Sequence, residues 1–597
     1  TQITASEELV YHKCFGHLQC ARLLLPLDYW NGTKDGEPVS LGVLRVPAKV
    51  PVTDPRYNGP IFINPGGPGG PGTLFAQFGG EGLQRYVDSG NPVLEASANS
   101  TEKFHDIIGF DPRGIGETTP SAYCFDDNEY RWIWMLRSVE EGLPGSSNAA
   151  LGRLLSMNKA YTESCNVKAS QPGNILNYVS TAHVARDMLE LAEKHEQWRE
   201  KEVAKLLPTS QSRISRRWDG GKKYKAKLQY WGFSYGTYLG ATFAAMFPDN
   251  VGRMILDGVL EPEDFTGGHW VGSVTDTEKA MDTFYEHCAA AGPEHCELAQ
   301  NNSTPAEVRE SFQSILWELY HNPLPVQATW GPDVLSYSAV KGFVFQTLYS
   351  PVILFPTLAT LFRHLEIGDL SMVAQFMEKY SPIPFGRRAG SSFPTPLISD
   401  ASRAIECADA DPFDAFDVEY FRQHMRELDG VSPVGGGLMT ALHMRCAGWK
   451  ARNIRFSGPW GGNTSTPILW IGNTADPICP IKRQVSLAHN QAARFPGSVV
   501  LTHDTAGHCT LAAYSHCTTA AIRAYFHNGT LPEPGTTCPV VQFPFNTPMP
   551  GQNIESVSNA IAQEYADAAA AHEEVKRVFT DLGMGYGMPR FWSHPMM

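Results

Sequence analysis

The chain has 597 residues, 42% of them hydrophobic and 18% charged, with a formal net charge of −14. That composition is ordinary for a globular protein, and it argues against two classes of partner. A net-acidic chain repels the phosphate backbone of nucleic acid, with no cluster of basic and aromatic residues to offset it, and no run of about 18 apolar residues could cross a bilayer as a helix.

At roughly 150 residues per domain the length would allow about four units. A large α/β sheet carrying an insertion exceeds that prior as one body, so two or three units are expected. In chain order, strand-like runs alternate with helical patterns over residues 1–260, the pattern of a mostly parallel sheet with helices on both faces. Pro60-Ile61-Phe62-Ile63-Asn64, Asp106-Ile107-Ile108-Gly109-Phe110-Asp111, Leu228-Gln229-Tyr230-Trp231 and Arg253-Met254-Ile255-Leu256-Asp257 read as strands. A helix is expected over 181–193, where Val184, Met188 and Leu191 recur at helical spacing. The basic stretch from Lys194 to Lys227, with Arg213, Arg216, Arg217, Lys222, Lys223 and Lys225, reads as a solvated surface insertion. Over 261–450 the pattern changes to helices rich in large apolar residues, including Phe343 to Leu365, as in a helical cap. Alternation resumes over 451–537 with strands at 466–471 and 498–501, so the cap is expected as an insertion within one sheet. The extension 538–597 begins Pro-rich and carries one long helical pattern, 554–582, expected to pack on the body or on a second copy in a homodimer.

Twelve cysteines, an even number, suit an oxidising compartment. Near neighbours suggest the pairs Cys14–Cys20, Cys288–Cys296 and Cys517–Cys538, and Cys124–Cys165 is a further candidate. The rival reading, metal ligation, lacks a Cys-x-x-Cys or His-Glu-x-x-His segment, and no metal is expected. Asn-x-Ser/Thr sequons stand at Asn31, Asn99, Asn301, Asn302, Asn463 and Asn528, each a glycan acceptor in a secreted chain. The first residue, Thr1, is consistent with a removed signal peptide and equally with a trimmed chain. Secretion is the expectation.

The chemistry concentrates in three places. Gly232-Phe233-Ser234-Tyr235-Gly236 follows a strand and precedes a helix from Thr237 to Phe247, the context of a nucleophile elbow, in which glycine two places either side of the serine relieves a tight turn. A serine needs a base within hydrogen-bond reach, and the base needs a carboxylate. In the order expected for such a sheet, Asp476 follows one late strand and His508 the next. His503 is a rival base too close to its strand to sit on a loop. Asp257 is a rival acid better read as the acceptor that holds a turn. Asn64-Pro65-Gly66-Gly67-Pro68-Gly69-Gly70 follows the first buried strand without the Lys-Ser/Thr of a P-loop. Its position fits an oxyanion hole, with the backbone N–H of Gly67 paired with that of Tyr235. Cys479 and Cys509 lie close in sequence to the acid and the base, and a Cys479–Cys509 disulfide tying the two loops is a further expectation.

These residues, with Asp111-Pro112-Arg113-Gly114-Ile115-Gly116, Leu256-Asp257-Gly258-Val259, Ala404-Ile405-Glu406-Cys407-Ala408-Asp409 and Gly507-His508, resemble the proline iminopeptidase and tripeptidyl aminopeptidase family of serine exopeptidases. The resemblance runs over about residues 20–540 and implies an α/β-hydrolase fold with a helical cap. It further implies the triad Ser234, Asp476 and His508, no cofactor, and hydrolysis of peptides near a free amino terminus. Acidic residues of the cap would hold that terminus, with Glu406 and Asp409 as candidates; their alternative role is to flank a Cys407–Cys446 disulfide. The same machinery acting on an ester, lactone or small amide is the runner-up, and a binding protein with a decayed site the third reading.

Overall fold

The computed structural model describes residues 3–30, 38–90, 101–206, 226–380, 399–412, 416–451, 453–481, 487–549 and 566–581. Its strands, in chain order, are β1 (His12–Cys14), β2 (Leu18–Leu25), β3 (Val39–Val46), β4 (Tyr57–Asn64), β5 (Phe104–Phe110), β6 (Leu228–Phe233), β7 (Val251–Asp257), β8 (Leu324–Ala328), β9 (Gly331–Leu335), β10 (Leu469–Ala475), β11 (Val499–Ala506) and β12 (Thr537–Pro539). Ten of them form one sheet in the order β1-β2-β3-β5-β4-β6-β7-β10-β11-β12. The β1, β2, β3 and β5 pairings are antiparallel, and every pairing from β5 across to β12 is parallel. This is the mostly parallel sheet expected from the alternation, in the α/β-hydrolase fold that the resemblance implies.

Strand periodicity explains why the sheet is covered on both sides. Ile61, Ile63, Ile107, Trp231, Ile255, Leu469 and Ile471 point into one core. Their neighbours Phe62, Ile108, Tyr230, Leu256 and Trp470 point into the other. The antiparallel edge was not legible: β1 and β2 are short or carry polar residues such as Gln19 and Arg22, and the Cys14–Cys20 disulfide closes their turn.

After β7 the chain leaves the sheet and returns in β10, which pairs directly with β7. Between them lie the helices from Pro262 to Met444 and the β8–β9 hairpin, so the insertion belongs to one sheet. The apolar stretch from Phe343 to Leu365 spans two helices, Tyr337–Thr347 and Pro351–Ile367. Pro351 lacks an N–H to continue the first helix and disfavours helical backbone at Ser350. The helix expected over 181–193 continues as Thr181–Leu206. No described helix is long and apolar enough to cross a membrane.

In the extension the described helix is Ala566–Asp581, and residues 554–565 and 582 of the expected pattern lie outside the described residues. Its apolar residues Ala568, Ala571, Val575 and Phe579 are buried, and Val575 fits over Gly82 on the helix Gly72–Val87. The helix thus packs on the body of its own chain, one of the two packings expected for it.

Five of the expected cysteine pairs are bonded: Cys14–Cys20, Cys124–Cys165, Cys288–Cys296, Cys407–Cys446 and Cys517–Cys538. The sixth, Cys479–Cys509, is corrected: both are free, buried thiols. Cys509 turns its Sγ toward the carbonyl of Asp257, 3.3 Å away, and so engages the end of β7. Of the sequons, Asn301, Asn302, Asn463 and Asn528 are exposed, and Asn31 and Asn99 lie outside the described residues.

Candidate active site

Five strands deliver the site from their C-terminal ends. β6 runs into the helix Tyr235–Met246 with Ser234 at the corner, φ 56° and ψ −125°, a backbone conformation costly for any side chain and typical of strained functional turns. The glycines explain how the corner closes. A Cβ at Gly232 would lie 2.4 Å from the carbonyl oxygen of Gly236, and one at Gly236 would lie 2.9 Å from Oδ1 of Asn64. Ser234 is buried, its N–H donates to the carbonyl of Asp257 at 2.9 Å, and it stands at the positive end of the helix dipole.

The glycine loop after β4 leans on this corner. Asn64 Oδ1 accepts from Gly66 N at 2.9 Å. A Cβ at Gly66 would fall 2.4 Å from Phe233 O, 2.8 Å from Ser234 Cβ and 3.2 Å from Tyr235 N. Gly67 follows at φ +114°. The two segments expected to donate to an oxyanion are therefore adjacent, and the close approach falls at Gly66, which sequence reasoning did not single out.

Asp476 follows β10 and His508 follows β11. His508 Nδ1 lies 2.9 and 2.8 Å from the two carboxylate oxygens of Asp476, which also accepts from the N–H groups of Ile478 at 3.0 Å and Cys479 at 2.8 Å. An ionised carboxylate only accepts, so Nδ1 carries the proton. Nε2 is buried with no hydrogen-bond partner among the described residues. The backbone of the loop that carries His508 is held by residues the sequence did not reveal. Asn473 Nδ2 donates to the carbonyls of Gly507 and Cys509, at 2.7 Å each. From the insertion, Tyr349 accepts the N–H of His508 at 2.9 Å and sets its ring edge-on to the imidazole, 4.9 Å between centroids. Nothing in local sequence marks these contacts, since each spans separate elements.

The rivals have other partners. His503 sits in β11 with Nδ1 2.8 Å from Thr518 Oγ1 and Nε2 3.0 Å from the carbonyl of Ala513. Asp257 accepts from Thr510 N at 2.9 Å and Thr510 Oγ1 at 2.5 Å, and burial pushes its pKa up to about 6. A carboxylate oxygen of Asp476, a ring nitrogen of His508 and Sγ of Cys479 lie within 4.8 Å of one another, and two of those groups are already hydrogen-bonded together.

Glu406 and Asp409 lie on the helix Ser399–Asp409, braced by the Cys407–Cys446 disulfide, and both are buried. Glu406 pairs with Arg445 at 3.0 Å. Asp409 accepts from Thr181 N at 2.9 Å and Thr181 Oγ1 at 2.6 Å, and Thr181 Oγ1 meets the hydroxyl of Tyr235. Neither offers an unengaged carboxylate, so an incoming ammonium would have to displace Arg445 or Thr181. Burial pushes Asp409 up to about 7 against the pull of its Thr181 hydrogen bonds. An unfolded aspartate titrates near 3.9, so between about pH 4 and 7 the folded chain holds a proton the unfolded chain has released. That contribution to stability is complete below about pH 4 and is lost as the pH rises through about 7. Asp409→Asn should flatten this fall; thermal unfolding followed from pH 4 to 8 checks it, and equal slopes in both proteins would refute it.

A mostly parallel sheet with a serine elbow, a glycine loop beside it, and an Asp–His pair on the last strands defines a serine hydrolase of the α/β-hydrolase fold. Residues 432–538 match the family model described as TAP-like protein. The serine protease Hip1 of Mycobacterium tuberculosis is 26% identical over 540 residues, covering 88% of this chain and 88% of that protein. The tripeptidyl aminopeptidase of Streptomyces lividans is 24% identical over 544 residues, 89% of this chain and 85% of that protein. Carboxylesterase B of M. tuberculosis is 26% identical over 526 residues, 87% and 86% of the two chains. Among solved structures, juvenile hormone epoxide hydrolase from the silkworm Bombyx mori aligns over 79% of this chain and 68% of its own, at 12% identity and a TM-score of 0.27. Over most of its length the chain is similar to relatives named a serine protease and a tripeptidyl aminopeptidase, which supports a serine hydrolase with a TAP-like segment.

Proposed function

We propose that this enzyme is a secreted aminopeptidase that cleaves peptides near a free amino terminus through an acyl-enzyme on Ser234. The observation that carries the reading is the state of His508. Its Nδ1 is committed to Asp476, and its Nε2 is buried without a partner among the described residues, on the strand-end face that carries Ser234. Such an imidazole takes the serine proton as the hydroxyl attacks the carbonyl carbon, then returns it to the leaving amine, while Asp476 holds the tautomer and stabilises the imidazolium. The backbone N–H groups of Gly67 and Tyr235 receive the negative oxygen of the tetrahedral intermediate. Deacylation repeats the steps with water as nucleophile. No cofactor enters this scheme.

Secretion is supported by five disulfides, which persist in oxidising compartments, and by exposed sequons at Asn301, Asn302, Asn463 and Asn528. The exopeptidase choice draws on the tripeptidyl aminopeptidase among the relatives. The carboxylesterase among them favours a second reading, the same triad acting on an ester. A panel of short peptide arylamides with free and acetylated amino termini, run beside aryl esters, separates the two. Turnover confined to free amino termini is expected. Turnover of esters alone would replace the peptidase reading with the second one.

A further inference from the structure

The helix Ala566–Asp581 lies outside the segment that matches the TAP-like family model, and its sequence carries no catalytic motif. We propose that this helix is a positioning element of the active site, in which His572 holds the base loop in register with Ser234. The proposal rests on the reading of Ser234 and His508 as nucleophile and base.

Three lines of contact run from the helix to the groups around those residues. The first is a hydrogen-bond chain. His572 is buried and its Nε2 lies 3.1 Å from the carbonyl oxygen of Thr510, two residues past His508. A carbonyl only accepts, so Nε2 carries the proton. Burial pushes the ring's pKa down to about 3, which keeps it neutral and leaves that tautomer in place. Thr510 in turn donates its N–H and hydroxyl to the carboxylate of Asp257, whose carbonyl accepts the N–H of Ser234. The path from the tail helix to the nucleophile therefore passes through Thr510 and Asp257 alone, and it crosses the base loop on the way.

The second line is packing. Phe579 sets its ring 6.0 Å from Phe233, the residue immediately before Ser234, and 6.0 Å from Phe75. The third passes through the insertion. Thr580 Oγ1 lies 2.9 Å from Ser350 Oγ, and the adjacent Tyr349 accepts the N–H of His508. The helix thus touches the strand that ends at the nucleophile, the loop that carries the base, and the insertion segment that holds the base loop.

Its other contacts anchor it. Arg85 pairs with Glu574 and, at 3.6 Å, with Asp567. A Cβ at Gly82 would lie 2.5 Å from Val575 Cγ2, so the two helices meet at van der Waals distance. The buried Lys576 donates to Gln542 at 3.0 Å, and Gln542 accepts from the backbone of Tyr514, whose ring stands edge-on to His572 at 5.4 Å. A helix held this firmly transmits the position of His572 rather than yielding to it.

A cover over apolar surface would predict a loss of stability when His572 is changed and no dependence on a donor. A positioning role predicts dependence on the N–H. In the full-length chain, His572→Phe keeps the ring volume without the donor, and His572→Gln restores an N–H near the Nε2 position. The readouts are the rate of Ser234 labelling by a fluorophosphonate, the kcat and KM on the best substrate of the panel, and thermal unfolding. His572→Phe is expected to label about tenfold more slowly and to lose kcat by a similar factor with KM unchanged, the scale of one hydrogen bond. His572→Gln is expected to stay within about threefold of wild type. Equal losses in both variants, or wild-type labelling in His572→Phe, would overturn the role of His572. A wild type that does not label at Ser234 overturns the nucleophile reading instead, so the two failures are distinct. Should His572→Phe not fold, Thr580→Val removes the Ser350 contact isosterically; a fall in kcat of about threefold is expected, and wild-type kcat overturns the proposal.

Discussion

Replacing Ser234 by alanine is expected to lower kcat on the order of a million-fold, with KM little changed. When nucleophile and base act as a unit, losing the hydroxyl removes the covalent route altogether, and only the oxyanion donors and binding remain. The fold should tolerate the change, because Ser234 contributes its backbone N–H to Asp257 whatever its side chain. Alanine is also no worse than serine at φ 56°. The check is steady-state hydrolysis beside fluorophosphonate labelling: both should vanish while thermal unfolding shifts by no more than about a few degrees, since the change removes one oxygen and leaves the backbone contact in place. Residual turnover above about a thousandth of wild type would place the nucleophile elsewhere.

Asp476→Asn is expected to cost about ten-thousandfold in kcat at neutral pH. The reason lies in who donates. The carboxylate accepts from His508 Nδ1 and from the N–H groups of Ile478 and Cys479. An amide in its place can turn its NH₂ toward Nδ1, which moves the imidazole proton to Nε2 and leaves it without a lone pair for the serine hydroxyl. Rising pH should recover part of the rate, as hydroxide in solution assumes the base's work. A variant with the wild-type pH profile and less than tenfold loss would show that Asp476 does not orient the base. The alternative carboxylate, Asp257, is placed so that it does not compensate: it is occupied by Thr510 N and Oγ1.

The parts of this enzyme that were readable along the chain are those in which neighbouring residues suffice. Short continuous apolar runs such as Pro60–Asn64 mark buried strands because successive side chains point alternately into two buried faces. Gly232-Phe233-Ser234-Tyr235-Gly236 marks the elbow because the clash each glycine avoids lies within the strand–turn–helix unit or just beside it. Asp476 and His508 could be expected because chain order after successive strands maps onto adjacency in a parallel sheet, and β10 does pair with β11. Near-neighbour cysteines were legible for a similar reason, since a short loop constrains where its ends can go.

What the chain alone determined is thus the α/β sheet, the helical insertion and the placing at the strand ends of the residues proposed to carry serine chemistry, all set by local sterics and hydrophobic pattern. The tertiary structure decided matters that depend on groups distant in sequence meeting in one buried place. It left Cys479 and Cys509 as separate thiols because Cys509 turns to Asp257. It engaged Glu406 with Arg445 and Asp409 with Thr181, since a buried carboxylate takes whatever donor the packing brings. It also set the tail helix against the elbow and the base loop, where His572 reaches Thr510 across 62 residues of chain. Such contacts leave no periodic or spaced signature, because burial and hydrogen-bond satisfaction are properties of the assembled core.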